Sequence, residues 1–173
     1  MAEIKDVFYV LVDKGVEKGF LSAKGEEVIP EELLAQESKV CEGIYHGVSE
    51  FCKWNDQISM VPTLTIQLGG HAGIGAAALY KDGLLDAPDA DILSLLTEGH
   101  DVMELGTLAW EKTKSEPGSE WANAVDDHIN GSYMKALIEA CDGNGGNMNQ
   151  ENILHAAAAM YRYGALLELK NNN

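Results

Sequence analysis

One stretch limits the possible folds more than any other. Behind Pro30, the residues Leu33, Leu34, Val40, Cys41, Ile44, Tyr45, Val48, Phe51 and Cys52 recur at three- and four-residue steps. That spacing puts them on one stripe of an amphipathic helix over 31–55, which needs an apolar partner layer to cover it. Pro30 stands where such a helix begins, because its fixed φ suits the entry to a first turn. With 173 residues, 46% of them hydrophobic, the chain is long enough to supply that layer as a single domain over 1–173.

The segments around this helix read as strands in the N-terminal half. Val7-Phe8-Tyr9-Val10-Leu11-Val12 is a dense β-branched and aromatic run, and Gly15, Gly19 and Gly25 punctuate the residues behind it as a twisted hairpin would. Residues 59–68 alternate apolar and polar from Leu64 onward, with Pro62 suited to an edge or a bulge. Residues 69–83 (GGHAGIGAAALYKDG) fit either a glycine turn into a helix or a hairpin closing at Lys81-Asp82-Gly83. The hairpin is preferred, because Gly73 and Gly75 weaken a helix start.

From Asp91 onward the pattern is helical. Asp91 can cap Ile92 to Glu98, with Gly99 at the far end, and Asp101 with Glu104 marks a restart into Val102 to Lys112. Ser119 opens a further helix through Trp121, Val125 and His128, interrupted near Asn130-Gly131 and resuming through Ala140. The DGNGGN loop at 142–147 precedes a last helix over about 148–169, and 171–173 is a frayed tail. The expected architecture is therefore α+β: a small antiparallel sheet in the N-terminal half packed by a long helix, and an all-helical C-terminal half. Small residues in the last helix (Ala156 to Ala159, Gly164 and Ala165) suit tight internal packing, and they also allow a homodimer seam through 148–169.

Each chemical motif has a plain structural explanation beside it. Gly70, His71, Gly73 and Gly75 follow a strand-like segment, where backbone amides can hold a ligand. The order G-x-x-G-x-G lacks both the dinucleotide fingerprint and the P-loop lysine. Asp86, Asp89 and Asp91 offer hard oxygens to a divalent cation, yet they also spell a polar turn and an N-cap. Asp142 to Gly146 resembles half an EF-hand, but Asn147 and Ile153 occupy the glycine and glutamate positions. His46, His100, Asp101 and Asp127 could be drawn as a metal-dependent hydrolase without any established ligand spacing. Cys41 and Cys52 lie about 20° apart on the helix stripe, as buried thiols would. Trp54, Trp110 and Trp121 fit core edge or surface anchor equally. No cofactor is expected.

Charge points to a partner. Twelve Lys and Arg stand against 28 Asp and Glu, and residues 82–130 alone hold 12 acids and 2 lysines. An excess so concentrated steers basic partners and disfavours direct contact with nucleic acid or an anionic membrane. Arg162 is the single arginine, which also disfavours phosphate recognition. The expected function is a non-enzymatic interaction protein that binds a basic partner through Asp91, Glu98, Asp101, Glu104, Glu111, Glu120 and Asp127, in its sharpest form an inhibitory nucleic-acid mimic. The alternative is a small-ligand or nucleotide binder, or a metal-dependent hydrolase, built on the glycine stretch 69–75. Three cysteines without a C-x-x-C pair, no signal-peptide pattern and no long apolar run favour a soluble protein of the reducing cytoplasm.

Overall fold

In the computed structural model, residues 4–21, 28–113 and 149–170 are described, together with 116, 119, 120, 123, 124 and 127. Among them there are helices and no strand. The elements are α1 (Ile4–Glu17), a single turn α2 (Glu31–Leu34), α3 (Glu37–Trp54), a 3-10 turn (Ile58–Met60), α4 (Val61–Lys81), α5 (Ile92–Thr97), a second 3-10 turn (Val102–Glu104), α6 (Leu105–Lys112) and α7 (Gln150–Lys170). The α+β expectation is thus overturned, while the amphipathic helix behind Pro30 is present as α2 and α3.

Both expected strand regions fold as helix for identifiable reasons. In α1 the buried positions are Val7, Phe8, Leu11, Val12 and Gly15, a helical stripe that the six-residue apolar run hides by including the outward Tyr9. In α4, Pro62 falls in the first turn, where its missing N–H leaves no bond unmade. The alternation from Leu64 to Leu68 and the glycines after it carry no strand signal, because every residue from Leu68 to Leu79 is buried. A helix enclosed on all sides has no polar face to reveal its period.

That enclosure depends on α7. A Cβ on Gly73 would collide with the Tyr161 carbonyl oxygen, and one on Gly164 with the Gly70 carbonyl oxygen. One on Gly69 would lie 2.8 Å from the Ala157 carbonyl oxygen. The two 21-residue helices therefore meet backbone to backbone. The pairings 69 with 157, 73 with 161 and 81 with 168 advance together, so α4 and α7 run in the same direction. At their C-terminal ends Lys81 Nζ bonds Glu168 Oε1 at 3.0 Å and the Glu168 carbonyl oxygen, sealing a carboxylate that has 0% exposure.

Two apolar clusters flank this pair. α3 and α5 supply Val40, Ile44, Val48, Cys52, Ile92 and Leu96 to one, while α1 supplies Val7, Phe8, Leu11 and Val12 to the other. α3 is antiparallel to α7, since Glu37 meets Arg162 and Cys41 shares a concavity with Ala158. Arg162 forms a two-pronged pair with Glu37, its Nη2 donating to Oε1 at 3.0 Å, and the Tyr161 hydroxyl donates to the Leu33 carbonyl oxygen at 2.7 Å. The lone arginine is consequently part of the framework. The small residues of the last helix face α4, α3 and α1, so the seam considered for a homodimer is occupied by the chain itself.

Gly73→Ala should destabilise the fold by about 3 kcal/mol, because the added methyl meets backbone that cannot rotate away. Gly106→Ala, whose Cβ would lie 3.6 Å from the His71 ring in ordinary contact, should be neutral or stabilising by up to about 1 kcal/mol. Urea unfolding of the two variants checks the contrast. By the same measurement, Lys81→Met should cost about 3–5 kcal/mol, since it leaves the Glu168 carboxylate buried without its ammonium.

Candidate protein-binding face

The middle of α3 is shaped for a second layer by two glycines one turn apart, Gly43 and Gly47. A Cβ on Gly43 would strike Leu93 of α5, and one on Gly47 would lie 2.7 Å from Val102 Cγ1, so α5 and the 3-10 turn after it seat directly on the α3 backbone. Asp101 enters that turn as its N-cap, accepting from the Met103 amide at 2.9 Å. A carboxylate held by such a bond keeps one orientation and still has lone pairs free for another donor.

Beside it, α3 ends at Trp54 in a Schellman arrangement. Asp56 takes φ 55°, the Gln57 amide bonds the Cys52 carbonyl at 2.7 Å, and the Asp56 amide bonds that of Lys53 at 3.4 Å. The corner is thereby fixed, yet every residue from Lys53 to Met60 is exposed. Trp54 is 90% exposed and Ile58 59%. A concavity of about 680 Å³ lies next to it, lined by Gly47, Glu50, Phe51, Lys53, Trp54 and Asp101. A second groove of about 690 Å³, which includes Tyr45, Ser49, Ile58 and Val61, shares the Glu50 and Lys53 wall.

The sequence-predicted acids divide into two groups. Asp91 caps α5 through the Ser94 amide at 3.3 Å and pairs with Lys39 at 3.0 Å. Burial pushes its carboxyl up, but Lys39 and Ser94 together outweigh this and hold it below the usual carboxylate range. Glu98 pairs with Lys112, and Glu104 lies 3.1 Å from His100 Nδ1. Asp101 stands at the concavity, while Glu111, Glu120 and Asp127 are exposed. The Glu98–Lys112 pair ties the end of α5 to the end of α6, so Asp91, Glu98, Asp101, Glu104 and Glu111 belong to one helical hairpin.

The glycine stretch is not a loop. Gly70, His71, Gly73 and Gly75 are buried inside α4, their amides committed to the helix. His71, 5% exposed, packs edge-on against Trp110 at 5.9 Å between ring centroids. Among the described residues no group of three His, Cys, Asp or Glu could hold a metal ion, which removes the set drawn from His46, His100, Asp101 and Asp127. The 142–147 loop, Trp121, Val125, His128 and the 171–173 tail lie outside the described residues. Cys41 and Cys52 are buried, and desolvation pushes both thiols up, with Glu37 adding to the effect at Cys41. Such groups are inert. Among the described residues no helix is long and apolar enough to cross a membrane.

Comparison of the chain with protein-family models, curated proteins and solved structures finds no match. Of the three tryptophans that sequence reasoning left undecided, Trp110 is buried beside His71 and Trp54 is exposed at the concavity, while Trp121 lies outside the described residues.

Asp101→Ala should lower stability by about 0.5–2 kcal/mol through loss of the cap. Asp101→Asn, whose amide oxygen can cap equally well, should leave stability unchanged. Thermal unfolding of both variants distinguishes the structural part of Asp101 from its charge.

Proposed function

We propose that this is a non-enzymatic interaction protein that binds a basic segment of a partner protein through the acidic α5–α6 hairpin and the adjoining Trp54 corner. The observation that carries the reading is the 90% exposed Trp54 at a concavity whose wall includes Glu50 and Asp101. Exposed aromatic anchors in pockets are where binding energy concentrates, and carboxylates around one set the sign of the partner's charge. The net charge of −16 adds long-range attraction for a basic chain.

The nucleic-acid-mimic form of this idea is less well supported than simple recognition of basic side chains. A mimic requires a row of unneutralised anions, whereas Asp91 and Glu98 each face a lysine of the same chain. The unreacted thiols Cys41 and Cys52 fit a reducing, cytoplasmic setting.

A deca-lysine peptide serves as the probe. Its affinity should fall steeply as salt rises from about 50 to about 200 mM, because exposed charges are screened beyond roughly a Debye length. Asp101→Asn combined with Glu111→Gln should weaken binding several-fold without changing stability. Salt-independent binding, or an unaltered affinity in this double variant, refutes the acidic face as the contact.

A further inference from the structure

We infer that the concavity between α3 and the Val102–Glu104 turn receives an arginine side chain of the partner. This rests on the acidic face being the partner contact and names what that face selects. Four features of the concavity match a guanidinium. Trp54 offers an open aromatic ring on a helix end whose backbone is closed by the Asp56 and Gln57 amide bonds, and planar guanidinium groups stack on such rings in preference to ammonium groups. Glu50 and Asp101, from two different elements, supply carboxylates for its forked N–H groups. Asp101 is already oriented by the Met103 amide, so docking orders one group fewer. Gly47 at the floor lets the two elements approach closely enough to form a single concavity.

Lys53 shares the wall, and its ammonium opposes any cation that enters. That opposition favours the guanidinium, whose charge is spread over a plane and whose weaker hydration is lost more readily than that of a lysine ammonium. Phe51, half-buried on the same wall, narrows the apolar side on which the guanidinium stem lies.

The test compares nona-arginine and nona-lysine peptides of equal charge, titrated against the full chain at one salt concentration. Nona-arginine should bind about two- to fivefold more tightly, as expected for stacking at an exposed aromatic. Trp54→Ala should abolish that preference, and Trp54→Phe should keep part of it. Both substitutions are at an exposed position and should leave the fold intact, which thermal unfolding checks. Glu111→Gln, outside the concavity, should weaken both peptides equally and preserve their ratio. Equal affinities for the two peptides, or a preference that survives Trp54→Ala, overturn the arginine inference while leaving the acidic face standing. Failure of both peptides to bind removes the acidic face and this inference together.

Discussion

The direct contact of two helix backbones, α4 against α7, is the constraint on which the rest of the molecule depends. Gly69, Gly73 and Gly164 allow an approach that any side chain would prevent, and the flanking Ala157 and Ala165 keep the seam thin. Interior glycines cost about 1 kcal/mol each in helix propensity, so their retention here is a packing requirement. Close approach also multiplies dispersion contacts between main-chain atoms, which individually are small and collectively offset that cost. Each helix of the pair is buried along most of its length, and neither could be stable alone with so few polar positions.

Parallel packing of α4 and α7 has a topological consequence. The chain leaves α4 at Lys81 and must travel back along the full helix before α7 can start beside Val61, a return of about 30 Å for helices of this length. α5 and α6 lie on that return path. They cover α4 where a Cβ on Gly75 would lie 2.5 Å from Leu96 and 3.2 Å from the Ala109 Cα, and they seat against α3 at Gly43 and Gly47. Residues 91–112, with the acids Asp91, Glu98, Asp101, Glu104 and Glu111, are therefore layered on the outside of α3 and α4. Their carboxylates need not be buried for the core to close, which leaves Asp101 and Glu111 exposed at the surface.

How much of this was legible in the sequence depends on whether an element has a solvent face. α3 does, and its stripe from Leu33 to Cys52 was readable. The caps at Asp91 and Asp101 are local chemistry and were readable for the same reason. α4 has no such face, so its glycines imitated turns and its Leu64–Leu68 alternation imitated a strand. In α1 the β-branched run drew attention from Gly15, the position that completes the helical stripe and packs against Tyr163. Trp54 was open to a simple argument: at about 100° per residue it lies roughly 200° from Cys52, on the far side of the helix from the buried stripe. What periodicity could not show is that the Val102–Glu104 turn would bring Asp101 alongside it. That shared concavity depends on the close approach of Val102 to Gly47, whose significance appears only once α5 and α6 are folded against α3.

The exposure of Trp54 gains meaning from how firmly its surroundings are held. A tryptophan at a frayed helix end would sample many positions, and ordering it would subtract from a partner's affinity. Here the Schellman bonds of Asp56 and Gln57 close the helix end, while the 3-10 turn across the concavity is closed by the Asp101 cap. Meanwhile several of the chain's basic groups are matched internally, Arg162 by Glu37 and Lys81 by Glu168 inside the framework, Lys39 and Lys112 by acids of α5 and its end. These cations are thus engaged in fixing the helices, while Glu50 and Asp101 stand at the concavity beside Trp54. Framework and surface are coupled through this partition of charge: the lysines that hold α5 and the end of α6 in place are engaged by Asp91 and Glu98, so the negative charge beside Trp54 comes from Glu50 and Asp101.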